Sequence, residues 1–245
     1  MMSSQFLFIT MLEIAHINPS RMNDPAYRSW CKQWGALYAI NALYDTVFFI
    51  DRKTEPSNLQ KLLFCQPKFI VLNELFNSDG NLHKYKLPGS LSDIIRECKS
   101  RSPKSRIWIA DCKPRCLKKW EGIRRVCRHY PIDGLGVQVH FDIGRGVVPE
   151  FLTAQAVFQF VKYQTHQNRA AGFGTAFSEV SVLPGRPENI PKIGRIYTAI
   201  DRLAHTLEID WLMWWSPEDS LSWHWDQTRL HPCGIYTHEL VDRRL

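Results

Sequence analysis

Apolar and polar positions along this chain fall into short apolar runs separated by longer segments of helical period. Six runs read as buried strands: Thr46-Val-Phe-Phe-Ile50, Lys68-Phe-Ile-Val-Leu-Asn-Glu74, Arg106-Ile-Trp-Ile-Ala-Asp111, Gly134-Leu-Gly-Val-Gln-Val-His140, Phe173-Gly-Thr-Ala-Phe-Ser-Glu179 and Asp210-Trp-Leu-Met-Trp-Trp215. Between them the period changes. Leu59 to Phe64 predicts a short helix, and Ser90 can cap a helix running through Lys99, with Leu91, Ile94, Ile95 and Cys98 on one face. Leu117 to Tyr130 predicts a helix with Lys and Arg on its outer side, and Phe151 to Gln167 one with Val157, Phe158, Phe160 and Val161 inside. Pro191 is placed to open a last helix whose apolar positions are Ile193, Ile196, Ile200 and Leu203. Ahead of all these, Trp30, Trp34, Leu37, Tyr38 and Leu43 recur at helical spacing, while residues 1–28 form an irregular leader with loop signals at Asn18-Pro-Ser20 and Asn23-Asp-Pro25.

Strand then helix, repeated without hairpin signals, predicts a parallel sheet. Chemistry-bearing residues gather at one end of the predicted strands: Asn73 and Glu74, Asp111, Gln138 and His140, Glu179, Trp215. Two strands, 68–74 and 173–179, stop at a carboxylate. Positions 74 and 179 are 105 apart, and three strand–helix units of an eight-unit barrel take roughly 94 residues. The spacing fits strands 4 and 7 of a (β/α)8 barrel, which would bring all of these residues to its C-terminal face. An open, doubly wound sheet would need an early Gly-rich phosphate loop, and there is none.

At 245 residues and 44% hydrophobic, the chain can bury one full core, so a single domain over 1–245 is expected. The formal net charge of +7 changes little: the cations are scattered over predicted helices, as at Lys118-Lys119 and Arg124-Arg125, and read as a solvated outer face rather than a nucleic-acid surface. Seven cysteines make an odd number without a Cys-x-x-Cys pair, Cys112-x-x-x-Cys116 being the nearest approach. No zinc, other metal or organic cofactor is expected. Residues 6–12 are apolar, but no basic residue precedes them and Glu13 follows at once, so no signal peptide is expected; no run reaches the ~18 apolar residues of a membrane span. Compartment and oligomeric state have no signal in the sequence.

Two carboxyls across a cleft with indoles nearby suit cleavage of a glycosidic bond, one acid protonating the departing oxygen while the other attacks or activates water. Either glutamate alone reads more simply as a salt-bridge partner, His140 alone as a core histidine and Trp215 alone as packing. Their gathering at one face favours the chemical reading.

These residues also carry a resemblance, over about Phe69 to Tyr236, to glycoside hydrolase family 10. Phe69-Ile-Val-Leu-Asn73-Glu74 with Asp79-Gly80-Asn-Leu82 is similar to the family's acid/base strand and the loop after it. Pro131-Ile-Asp-Gly-Leu-Gly-Val-Gln138-Val-His140 resembles the family's Pro-Ile-Asp-Gly-x-Gly-x-Gln-x-His. Phe177-Ser-Glu179-Val-Ser-Val stands where the family has Ile-Thr-Glu-Leu-Asp-Val around its nucleophile, and Trp215 with Asp219, Ser222 and Trp223 matches its strand-8 motif. The resemblance implies a retaining endo-β-1,4-xylanase on a (β/α)8 barrel, acting on a xylan-like, β-linked polysaccharide. Glu74 would be the general acid/base and Glu179 the nucleophile, with Asn73 on the sugar 2-hydroxyl, Gln138 and His140 lining the subsite, His140 orienting Glu179, and Trp215 and Trp223 forming aromatic walls.

The chain also departs from that pattern. The family's Glu-Asn-x-x-Lys and His-x-x-x-Trp-His motifs are not found before Glu74, and the 73 residues there are fewer than three units of about 31 would fill. A barrel incomplete or irregular at its N-terminal strands is therefore expected. Phe69-Ile70 replaces a usual Trp-Asp, and Ser181 stands where the nucleophile strand has Asp. A catalytically weak or inactive carbohydrate-binding relative is the alternative these departures leave open.

Overall fold

A computed structural model describes residues 47–51, 54, 56, 59, 62–83, 89–142, 154–183 and 187–214. Once buried, an apolar run must pair its peptide groups, and each of the six runs does so. Strands β1 (Val47–Ile50), β2 (Phe69–Asn73), β3 (Arg106–Asp111), β4 (Gly134–Asp142), β5 (Gly174–Leu183) and β6 (Trp211–Trp214) follow one another in sheet order. The β1–β2, β2–β3 and β5–β6 pairings are parallel. A parallel neighbour requires a crossover, and helices α1 (Leu62–Cys65), α2 (Leu91–Arg101), α3 (Leu117–Cys127), α4 (Ala154–Ala170) and α5 (Ile193–Thr206) supply one after each of the first five strands. The elements group into two compact units, β1 through α3 in the first and most of β4 through β6, with residues 112–117, in the second.

In the first unit, β2 is buried along its whole length, as expected for a strand covered on both faces. The Phe69 and Trp108 rings meet edge to face at 5.9 Å, and the Arg106 guanidinium lies 5.3 Å from the Trp108 ring. Gly134, at the head of β4, leaves the space that Trp108 fills: a Cβ there would stand 2.2 Å from the indole. Helix α2 begins as expected at Ser90, whose hydroxyl accepts from the Asp93 N–H while the Asp93 carboxylate accepts from the Ser90 N–H. That backbone hydrogen bond, with the Ser90 hydroxyl and Arg96 beside it, holds the Asp93 carboxyl below its usual range. Leu91, Ile94, Ile95 and Cys98 form the buried face.

Helix α3 corrects an expectation. Lys118 and Arg125 face solvent, but Lys119 and Arg124 are buried with Trp120, Ile123 and Cys127. The physical reason for Lys119 is a counter-charge: its ammonium lies 2.5 Å from the carboxylate of Asp111, the fully buried last residue of β3.

In the second unit, α4 packs through Val157 and Val161, with Phe158 against Phe141 at 5.4 Å. Helix α5 buries Ile193, Tyr197, Ile200 and Ala204, so Tyr197 belongs to the stripe while Ile196 and Leu203 are half-buried. Pro191 does not open this helix; it lies in a 3-10 turn, Pro187–Lys192, and the α-helix begins at Ile193. Strand β5 also differs from expectation. It does not stop at Glu179 but continues to Leu183, and its pairing shifts there: Phe177 faces Leu212 whereas Val180 faces Trp214, leaving one extra residue on β5. Such a bulge re-aims side chains within a strand. It accounts for a carboxylate in mid-strand.

One device recurs at the start of the sheet in both units. Asp133, just before β4, accepts from the Ile107 N–H at 2.6 Å and returns its own N–H to the Ile107 carbonyl at 2.8 Å. Asp210, just before β6, does the same with Thr175, at 2.7 and 2.8 Å.

Two outcomes follow from this packing. Lys119→Met should cost about 3–5 kcal/mol of unfolding free energy, because it strips a buried carboxylate of its cation; urea titration showing a loss below about 1 kcal/mol would contradict the pairing, and adding Asp111→Leu should recover most of the deficit. Burial pushes the Cys98 and Cys127 thiols from 9.0 up to about 12. The unfolded chain loses those protons near pH 9 and the folded one near 12, so stability should fall as pH rises through that window, by about 1.4 kcal/mol per pH unit per thiol. Unfolding midpoints of a Cys98→Ala, Cys127→Ala variant should fall less steeply, and an unchanged slope would exclude the thiols as its source.

Candidate functional site

Side chains two apart on a strand share a face, and β4 and β5 use this to assemble a cluster in the second unit. Gln138 Nε2 donates to Glu179 Oε1 at 3.0 Å. His140 places Nε2 3.3 Å from Gln138 Oε1 and 3.6 Å from Glu179 Oε2, and Nδ1 2.7 Å from Ser181 Oγ. Glu179 is 4% exposed. A carboxylate so deeply buried must be met by donors, and Gln138 provides one from a neutral group. Gln138, His140 and Glu179, singled out from the sequence, are thus brought into contact. Ser181 is the fourth member, noticed in the sequence as a departure but not as a partner of His140. The signal was available, since 138 and 140 stand opposite 179 and 181 at one constant offset.

Asn73 and Glu74 belong to the first unit. Asn73 ends β2 and is buried, while Glu74, the next residue, is exposed. Its N–H still donates to the Ala110 carbonyl of β3 at 2.9 Å, but its φ of +51° turns the chain out of the strand. For a residue other than Gly, Asn or Asp that left-handed conformation costs roughly 1 kcal/mol, so the surroundings must impose it. They do so through the next residues. Leu75 and Phe76 are buried, Phe76 bridges Leu82 in antiparallel fashion, and the His83 N–H returns to the Leu75 carbonyl at 2.7 Å. Asn77 Oδ1 accepts from the N–H groups of Asp79 and Asn81 and closes the tip. Gly80, at φ +74°, rests directly on Gly122 of α3: a Cβ on Gly122 would stand 2.5 Å from the Gly80 Cα, and no side chain fits between. Lys118 Nζ adds an exposed ion pair to Asp79 at 2.8 Å. The carboxylate at position 74 therefore stands on a loop seated against a helix.

Trp215 and Trp223 lie outside the described residues, as do the predicted helix before β1 and residues 1–28. Lys119 was missed by the sequence reading as a buried partner of Asp111; its position four and eight residues before Ile123 and Cys127, on their stripe, is the signal that marks it. Among the described residues no group of three or more His, Cys, Asp or Glu is placed to hold a metal ion, and no helix is long and apolar enough to cross a membrane.

No protein-family model matches the sequence, and comparison with curated proteins finds no match. Solved structures do match. A GH10 endoxylanase retrieved from a sugarcane soil metagenome superposes with a TM-score of 0.61 at 15% identity, over 80% of this chain and 73% of that one. Xylanase 10B from Thermotoga petrophila, described in complex with xylobiose, gives 0.57 at 16% identity over 76% of this chain and 59% of that one. An intracellular xylanase from Thermoanaerobacterium saccharolyticum, described in complex with xylotetraose, gives 0.61 at 15% identity, over 84% and 75%. The chain thus spans well under two thirds of the Thermotoga petrophila enzyme and about three quarters of the other two. At such identities the likeness establishes the fold: this is an α/β chain of the (β/α)8 barrel type, with six strands among the described residues, in keeping with the incomplete barrel expected from the sequence.

Proposed function

We propose that the chain is a retaining β-glycosidase of the family 10 kind, acting on a xylan-like β-1,4-linked polysaccharide, with Glu179 as nucleophile and Glu74 as general acid/base. The observation that carries this reading is the buried carboxylate of Glu179, gripped by Gln138 and His140 on a fold shared with xylanases. Xylobiose and xylotetraose in the two neighbours support an oligosaccharide substrate.

In the first step a Glu179 oxygen forms a bond to the anomeric carbon as the glycosidic C–O bond breaks, and the Glu74 proton passes to the departing oxygen. In the second, water attacks the same carbon, the ester bond to Glu179 breaks, and Glu74 takes the water's proton. The Gln138 N–H fixes one Glu179 oxygen, which lowers the entropy cost of presenting the other. Asn73, beside Glu74, is the candidate donor to the sugar 2-hydroxyl, and Trp215 and Trp223 are the candidate stacking surfaces.

A second reading, a carbohydrate-binding relative without turnover, is favoured by the absence before Glu74 of the two early sugar-binding motifs.

Hydrolysis of an aryl β-xylobioside separates the two. The parent protein should turn it over and Glu179→Ala should not. Glu74→Ala should lose roughly 10²–10⁴-fold in rate on a polysaccharide needing protonation, yet with the activated substrate azide should rescue it as the β-azide product. A folded parent that binds xylo-oligosaccharide by calorimetry without hydrolysing it would replace this reading with the second.

A further inference from the structure

The hydrogen bonds that end on Glu179 have a direction, and it is fixed from one end. A carboxylate only accepts, so the Gln138 amide must turn its NH2 toward Glu179 Oε1. Its carbonyl oxygen then faces His140 Nε2, which must carry hydrogen to bond it. On the other side of the ring, Nδ1 meets the Ser181 hydroxyl at 2.7 Å.

Ser181 is fully buried, and among the described residues its hydroxyl has no side-chain partner besides His140. Were the ring doubly protonated, Ser181 would have to accept from Nδ1 and would leave its own hydrogen without an acceptor, the kind of loss that makes buried polar groups costly. With Nδ1 bare the hydroxyl donates to it, and all four side chains are satisfied in one direction.

We infer that Ser181 is the positioning residue of this cluster: its hydroxyl donates to Nδ1 and holds His140 as the neutral Nε2–H tautomer, so that the ring N–H faces the Gln138 carbonyl and, at 3.6 Å, Glu179. The inference deepens the glycosidase reading and rests on it only for its catalytic consequence. A hydroxyl at position 181 adds no charge behind the ring. An aspartate there could only accept, and would call for hydrogen on both ring nitrogens.

The test is the ring spectrum of His140 in the full chain. Long-range 1H–15N correlation on 15N-histidine-labelled protein at neutral pH, with His140 assigned by its loss in His140→Gln, should show Nε2 as a protonated nitrogen and Nδ1 as a bare one. The reversed pattern, or protonation at both, overturns the inference. Ser181→Ala should lose the single-tautomer pattern, Ser181→Thr should restore it, and Ser181→Asp should give the doubly protonated ring. A pure Nε2–H pattern surviving in folded Ser181→Ala would show that the hydroxyl does not set it. If Ser181→Ala does not fold, the parent and Thr spectra decide. None of these readouts needs turnover, so an inactive protein would remove the glycosidase reading and leave this result standing, while a wrong tautomer in an active enzyme would remove this inference alone.

Discussion

Register between β4 and β5 decides whether the Glu179 cluster exists at all. Gln138 meets Glu179 and His140 meets Ser181 at the same offset of 41 residues. A slip of one residue would turn the two side chains of one strand to the face opposite their partners. Strands buried on both sides have no polar edge pattern to resist such a slip, so the resistance must come from elsewhere. Between β4 and β5 the Gln138–Glu179 and His140–Ser181 bonds themselves hold the offset, while the reciprocal pairs of Asp133 with Ile107 and Asp210 with Thr175 pin β4 to β3 and β6 to β5, each with two hydrogen bonds and a charge. A carboxylate accepting from a backbone N–H is among the stronger hydrogen bonds available to a chain. Only one geometry satisfies both bonds at once.

The placement of charge follows the same logic of paying for burial locally. Asp111 closes β3 where no water reaches, and Lys119 comes inward from α3 to meet it. Glu179 is instead approached by a neutral amide and by a ring poised between an amide carbonyl and a hydroxyl.

Much of this was legible in the sequence because its signals are local. Six apolar runs marked six strands, Ser90 with Asp93 marked a capping box, and the alternation of Gln138 and His140 put both on one face. What was not legible depended on partners distant in sequence. The continuation of β5 through Glu179 comes with its pairing to β6, where the two steps from Leu212 to Trp214 are matched by three from Phe177 to Val180, and no composition near Glu179 announces it. Cations on a helix usually face solvent, and the carboxylate of Asp111 that makes the burial of Lys119 tolerable lies outside its helix, on β3. Pro191 lies two residues before the helix because a proline suits a tight 3-10 turn as well as a first helical position.

The seat of the loop after β2 is backbone against backbone, Gly80 on Gly122, and this separates place from identity. Contacts made through side chains drift as those side chains are replaced. Here the exposed positions at the tip, Ser78, Asp79 and Asn81, can be exchanged without entering the contact that anchors the loop. Two glycines thus leave the residues beside Glu74 open to exchange while the backbone beneath them stays in place.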